Sequence, residues 1–199
     1  MSLRYALLGF LSTEPASGYR LSQEFGESAG WFWYAQHSQI HPELKRLEAA
    51  GLIESSVDPD DARGTKTFTI TKAGLDDLNA WLEGPTEYPP LRDVERTRLL
   101  FLDSQPVEVV RKHFESHIDH HQRLLEIYEE QLAQLEAGTF PRLVKRLASQ
   151  PKSKHDYVAG LKRLAMEGNV RRARTEIEWA QECLGWLESL DRTGKRGRR

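Results

Sequence analysis

The pattern of apolar and polar positions in the first fifty residues predicts three helices. Residues 3–12 are apolar on nearly every side, which is typical of a buried helix. Turn-forming residues at 14–18 separate it from a second short helix that ends near Phe25. The third helix, about residues 38–50, carries an apolar stripe at i, i+4 and i+7 that we expect to face the core. The stripe consists of Ile40, Leu44 and Leu47.

A β-hairpin and a fourth helix are predicted next. Residues 52–57 and 65–70 have strand patterns, and the segment between them, Asp58 to Gly64, has the composition of a turn. Thr71 can cap a helix that runs to about Glu83. Three helices, a hairpin and a further helix within about 85 residues form the order of a winged helix-turn-helix domain, in which the third helix enters the major groove of DNA.

The Gly/Pro-rich segment 84–90 predicts a boundary, and long helices follow it. We expect helices over about residues 91–101, 106–136 and 153–190, with mixed structure at 139–154. The second has a 4-3 spaced, coiled-coil-like seam: Phe114, Ile118, His121, Leu125, Tyr128, Leu132 and Leu135. The third has a stripe that is predicted to face inward: Leu161, Ala165, Gly168, Ala173, Ile177, Ala180, Leu184 and Leu187.

The predicted fold is therefore mainly α with a small β-hairpin. An N-terminal winged helix-turn-helix domain (residues 1–85) precedes a helical dimerisation and effector domain built on long helices (86–190). The basic tail (191–199) is predicted to be disordered, and it can also contact the DNA backbone.

Composition removes several classes of protein. The chain has 199 residues and one cysteine, so it has no internal disulfide and no cysteine-based zinc site, which favours a reducing, cytoplasmic location. The sequence has neither a membrane-length apolar run nor a targeting signal. It also lacks a phosphate loop, a dinucleotide-binding turn and a nucleophile elbow, so we predict neither an enzyme nor a cofactor.

Net charge does not suggest DNA binding, because the chain has 28 basic and 30 acidic residues. The evidence is local. With the apolar stripe of the third helix inward, its other side presents hydrogen-bonding groups and two fixed positive charges, as base edges and phosphates require. The predicted DNA contacts on the third helix are Ser38, Gln39, His41, Pro42, Lys45 and Arg46. Arg63 and Lys66 are predicted contacts on the β-hairpin, which is the wing of such a domain.

Several motifs together resemble the PadR family of transcriptional regulators. The similarity is most specific in residues 31–54, which run from Trp-Phe-Trp-Tyr to Ala-Gly-Leu-Ile-Glu. Ser17-Gly18-Tyr19-x-Leu21 resembles the family's second helix, and residues 67–74 resemble its exit from the wing. Residues 90–93 and 177–180 resemble its longer, virulence-activator-like C-terminal region.

This resemblance implies a homodimeric winged-helix repressor that binds double-stranded DNA at a pseudo-palindromic operator. It also implies a response to small molecules in many members, with phenolic or other aromatic effectors typical. Two positions depart from the family pattern. His41 stands where the family usually has tyrosine, and the wing is acidic before Arg63.

Two further clusters have alternative interpretations. Trp31, Trp33 and Tyr34 could form the floor of an effector pocket. Alternatively, they could pack their own loop against neighbouring helices. His113, His117 and His121 are spaced i, i+4, i+8, so pairs of them could bind a divalent metal. We favour the alternative, in which these histidines lie on a solvent-exposed side of the helix and only His121 belongs to the seam. No metal is therefore predicted.

We interpret the chain as a sequence-specific DNA-binding regulator, a dimeric repressor that a small aromatic effector releases. The alternative is a helical protein-interaction module that has lost specific DNA binding. That alternative leaves the polar face around Lys45 unexplained.

Overall fold

The computed structural model describes residues 3–24, 37–57, 64–86, 88, 90 and 92–196, and only the backbone of His37 and of residues 191–196. It divides into two compact units, Met1–Pro89 and Pro90–Arg199. The first contains α1 (Leu3–Leu11), β1 (Ala16–Ser17), α2 (Gly18–Glu24), α3 (His37–Ala49), β2 (Ile53–Val57), β3 (Lys66–Ile70) and α4 (Lys72–Glu83). The second contains α5 (Val94–Leu99), α6 (Val107–Glu136), α7 (Pro141–Ala148) and α8 (His155–Arg196), with short 3₁₀ turns at Leu102–Ser104 and Lys152–Lys154.

The first unit has the predicted helices and hairpin, and one strand that the sequence analysis missed. β2 and β3 pair antiparallel, with Ser55 opposite Phe68, and β1 pairs with the other edge of β3. The sheet order is therefore β1-β3-β2. The composition of residues 14–18 predicts only a helix break, because a two-residue strand has no alternation to detect.

The core of the first unit lies between α1, α2, α3 and the sheet. The predicted stripe of α3 is fully inside it, since Ile40, Leu44 and Leu47 are each at most 2% exposed. These side chains pack in one cluster with others from every neighbouring element: Leu7, Leu8, Leu11, Ala16, Leu21, Leu52, Ile53, Phe68 and Leu78.

The start of α4 is attached closely to the end of α3. The Thr71 hydroxyl accepts a hydrogen bond from the Gly74 amide (3.1 Å) and donates one to the Gly51 carbonyl (2.8 Å), so Thr71 is the predicted cap. Gly51 has a φ of +69°, the left-handed conformation that lets α3 end there. A Cβ on Gly74 would lie 2.0 Å from the Leu52 carbonyl oxygen, so this contact requires glycine.

In the second unit, α6 and α8 pack along their length. The α6 seam is confirmed in outline, with Phe114, Leu125, Tyr128 and Leu135 buried. Three predictions need correction. The first helix is shorter than predicted (Val94–Leu99), and residues 141–148 form α7. In α8, Leu161, Ala165 and Gly168 are exposed, and the buried side chains there are Met166, Asn169 and Val170.

The register error in α8 has a geometric cause. The predicted stripe steps five residues from Gly168 to Ala173, which leaves those positions about 140° apart around a helix. The observed core positions Met166, Val170, Ala173, Ile177 and Ala180 keep the 4-3 spacing that holds a seam on one face. The helix backbone continues to Arg196, beyond the predicted end near residue 190. None of the described helices is both long and apolar enough to cross a bilayer.

We predict that Gly74→Ala lowers the free energy of unfolding of the first unit by about 3 kcal/mol, because the backbone must move to accommodate the methyl group. Gly9→Ala in α1 is the matched control. It meets no atom within 4 Å and should be neutral or stabilise by up to about 1 kcal/mol. Chemical denaturation followed by circular dichroism measures both variants. Equal stability of the two would contradict the close packing of α4 on Leu52.

Candidate nucleic-acid interface

The face of α3 opposite its buried stripe is solvent-exposed and polar. The structure exposes all six predicted contact residues of this helix: Ser38, Gln39, His41, Pro42, Lys45 and Arg46. Pro42 lies inside α3, beyond its first turn. We name these six residues the α3 outer face.

His41 is held at one edge of the outer face by α2. A Cβ on Gly18 would lie 2.6 Å from the His41 Cε1 atom, so the ring rests directly on the first residue of α2. Two local hydrogen bonds hold the first turn of α2. The Arg20 amide donates to the Ser17 hydroxyl (3.2 Å), and the Ser22 hydroxyl donates to the Gly18 carbonyl (2.9 Å). No pattern in the sequence indicates this contact.

The positive charges differ in their surroundings. Arg46 pairs with Glu43 at 3.0 Å, with 76% of its side chain exposed. Lys66 lies 3.6 Å from Glu48, which also accepts a short hydrogen bond from the Ser55 hydroxyl. Lys45 is exposed and has no ion-pair partner within the described part of the chain. Because an unpaired ammonium loses no protein partner when it meets an anion, Lys45 would bind a phosphate at a lower cost than Arg46 or Lys66.

Four predicted site residues lie outside the described residues. They are Arg63 on the wing and the aromatic residues Trp31, Trp33 and Tyr34. Their assignments stay predictions.

A second polar cluster, inside the second unit, contains the histidines of α6. The His113 and His117 side chains are only 5% and 4% exposed, so the solvated-flank interpretation is wrong for both. His117 Nε2 lies 3.3 Å from Glu176 Oε2 on α8, and the same oxygen accepts a 2.9 Å hydrogen bond from Arg96. The Arg96 guanidinium lies 4.4 Å from the centre of the Trp179 ring.

The surroundings of this cluster shift several pKa values. Burial lowers the pKa of His113 and of His121, which favours their neutral forms. Burial alone would raise the pKa of Glu176, but the hydrogen bond and charge of Arg96, together with His117, hold it below its ordinary value. The sequence analysis missed Glu176 and Arg96. Glu176 is adjacent to Ile177 in the predicted stripe, which was the available signal.

The fold is that of a winged-helix transcriptional regulator with an added domain of long helices, and comparison with known proteins agrees. Residues 7–80 match the model of the transcriptional regulator PadR-like family, and residues 91–188 match the model "Virulence activator alpha C-term". This chain belongs to the PadR-like family of transcriptional regulators, in the group with a long helical C-terminal region.

Two curated relatives show how far the sequence similarity extends. The negative transcriptional regulator PadR of Bacillus subtilis is 42% identical over 84 residues, which is 40% of this chain and 44% of that protein, less than half its length. The probable transcriptional regulator Rv1176c of Mycobacterium tuberculosis is 25% identical over 94% of this chain and 98% of its own.

Solved structures extend the likeness over nearly the whole chain. Bacillus subtilis PadR in complex with operator DNA has a TM-score of 0.74 at 25% identity, covering 94% of this chain and 99% of that one. The Vibrio cholerae virulence activator AphA has a TM-score of 0.68 at 28% identity, covering 95% and 99%.

The contact between His41 and Gly18 gives a testable coupling. Gly18→Ala should destabilise the first unit by about 1 kcal/mol, because the new methyl group displaces the His41 ring. In a His41→Ala background the same change should be close to neutral, giving a coupling free energy of about 1 kcal/mol in a double-mutant cycle. Denaturant unfolding of the four proteins measures it, and additive effects would show that the two residues do not touch.

Proposed function

We propose that this chain is a sequence-specific DNA-binding repressor that acts as a homodimer through the α3 outer face. The observation that carries the proposal is the division of α3 into two faces. Ile40, Leu44 and Leu47 are at most 2% exposed, and all six residues of the outer face are exposed. A helix with a fixed buried side and a polar outer side can enter a major groove in one orientation.

The chemistry of the outer face fits both parts of DNA recognition. Ser38, Gln39 and His41 carry groups that can hydrogen-bond base edges, and an amide such as that of Gln39 can pair with adenine through two hydrogen bonds. Lys45 supplies a point charge for phosphate. Arg46 must exchange its exposed partner Glu43 for DNA, which costs little because surface ion pairs are weak. Arg63 and Lys66 would contact the backbone from the wing.

Exposed apolar residues on the second unit support a homodimer. Tyr157, Leu161 and Leu164 lie at i, i+4 and i+7 on α8 and are 69%, 50% and 57% exposed. This spacing puts them on one face, and a second copy of the chain would bury it. Two-fold pairing would set two α3 helices about 34 Å apart, so the operator should be a pseudo-palindrome.

Repression and release by a small aromatic molecule are supported by a relative. Bacillus subtilis PadR is named a negative regulator, and it has been solved both with operator DNA and with p-coumaric acid. In this chain, repression would be steric, by occupation of a promoter. An effector would release the DNA only if it binds the DNA-free arrangement of the dimer more tightly than the DNA-bound one.

The direct test is fluorescence anisotropy of the full chain on its own upstream promoter, with a scrambled duplex of equal length as control, at two salt concentrations. We expect tighter, salt-sensitive binding to the promoter. Equally weak binding to both duplexes would contradict the proposal and favour a protein-interaction module.

Lys45→Ala should weaken binding to all duplexes similarly and flatten the slope of log affinity against log salt by about 0.9, as expected for one lost phosphate contact. Arg163→Ala, which removes one positive charge from α8, is the control and should leave the slope unchanged. A slope for Lys45→Ala equal to that of the unmodified protein would remove Lys45 from the DNA contacts.

The dimer face is tested by the double variant Leu161→Asp, Leu164→Asp. Two carboxylates in a shared apolar interface should give a monomer of 22.9 kDa. Light scattering after size-exclusion chromatography measures the mass. Leu82→Asp, at an exposed leucine of α4 (63% exposed), is the control and should stay dimeric. A dimer from the double variant would place the interface elsewhere.

A further inference from the structure

Two histidines of α6 and one carboxylate of α8 converge at a point that DNA binding does not use. His117 and His121 are one helical turn apart, with ring centroids 4.4 Å apart, and Glu176 faces them from α8. One ligand atom from each of the three side chains can be chosen so that all lie within 4.8 Å of one another. The spacing of the sequence indicates only the histidines of α6 as candidate ligands, and the fold adds the Glu176 carboxylate from α8.

The donor set and its dimensions suit a borderline divalent metal. Imidazole nitrogen and carboxylate oxygen are zinc ligands at about 2.0–2.2 Å, so two ligand atoms on a tetrahedral ion lie roughly 3.3 Å apart. His117 Nε2 and Glu176 Oε2 are 3.3 Å apart. The widest separation, up to 4.8 Å, exceeds the tetrahedral value by about 1.5 Å, so metal binding would require the half-buried His121 ring to rotate toward the other two ligands.

We propose that His117, His121 and Glu176 form a binding site for a divalent transition-metal ion, with Zn²⁺ the best-fitting member of that class. Three protein ligands leave a fourth position for water, the arrangement of an open site. An open cavity of about 330 Å³ borders His117, and its lining also includes His120 and Ser116. The packing of Trp179 against His117, with ring centroids 5.5 Å apart, holds that ligand in place.

Arg96 competes with the ion. Its guanidinium donates to Glu176 Oε2 and carries a positive charge beside the site. Arg96 and His117 both contact Glu176 through Oε2, so an ion must either displace Arg96 from that oxygen or bind Oε1 beside the Arg96 charge. In either case the guanidinium opposes the ion, and removal of Arg96 should strengthen metal binding. A chance cluster of surface histidines would not have this property.

The experiment uses the full chain without a polyhistidine tag, freed of metal by dialysis against a chelator. Zn²⁺ is titrated by calorimetry, and Co²⁺ is followed by its visible absorption as a probe of coordination. We expect one saturable site per protomer. His121→Asn should weaken the binding at least tenfold, whereas His120→Asn, the adjacent histidine outside the ligand set, should leave it within twofold.

Arg96→Gln provides the second arm and should bind Zn²⁺ more tightly than the unmodified chain, by about tenfold. Circular dichroism verifies that each variant is folded. The proposal is overturned if no saturable site is found. It is equally overturned if His120→Asn and His121→Asn weaken binding alike, or if Arg96→Gln weakens it.

Discussion

Burial of Ile40, Leu44 and Leu47 is the constraint on which the α3 outer face depends. Each of these side chains packs into the core formed by α1, α2 and the sheet. Full burial of one such side chain stabilises the fold by roughly 1.5–3 kcal/mol. Rotating α3 about its axis would expose these apolar side chains and would therefore cost several such contributions. The outer face is thus held toward solvent by residues that lie in the core. Gly18 and Gly51 refine the arrangement, the first by admitting the His41 ring and the second by ending the helix.

The second unit repeats this logic over two long helices. Its α6 and α8 seams both follow 4-3 spacing, which keeps a continuous apolar line between two long helices. The polar cluster of His117, Glu176 and Arg96 interrupts that line. Burying such groups is costly unless they are paired. Their presence beside an apolar seam is consistent with a role that apolar packing cannot perform.

Strong periodicity made most of the fold predictable from the sequence. The stripe of α3, the hairpin, the Thr71 cap and the long α6 all have several residues that indicate one answer. The failures occurred where the signal is short or depends on a partner. β1 is two residues long, and the interior register of α8 is set by α6 and not by its own small residues. Likewise, the burial of His117 and its pairing with Glu176 exist only once two distant segments meet.

For the site, sequence reasoning identified the outward residues of α3 but not their relative importance. That difference depends on neighbours: Glu43 beside Arg46, Glu48 beside Lys66, and no described acid paired with Lys45. Such pairings between side chains are decided by local geometry, which composition and spacing do not contain.

The central claim is that the outer face of α3 lies in the major groove of a two-fold operator. Since the chain has a single cysteine, Cys183, a Cys183→Ser background allows a DNA-cleaving iron chelate to be attached at one chosen position. The claim predicts that a chelate on Ser38→Cys cleaves promoter DNA at two symmetric clusters about one helical turn apart. Cleavage from Ser189→Cys on α8 at those same bases, with none from Ser38→Cys, would contradict it.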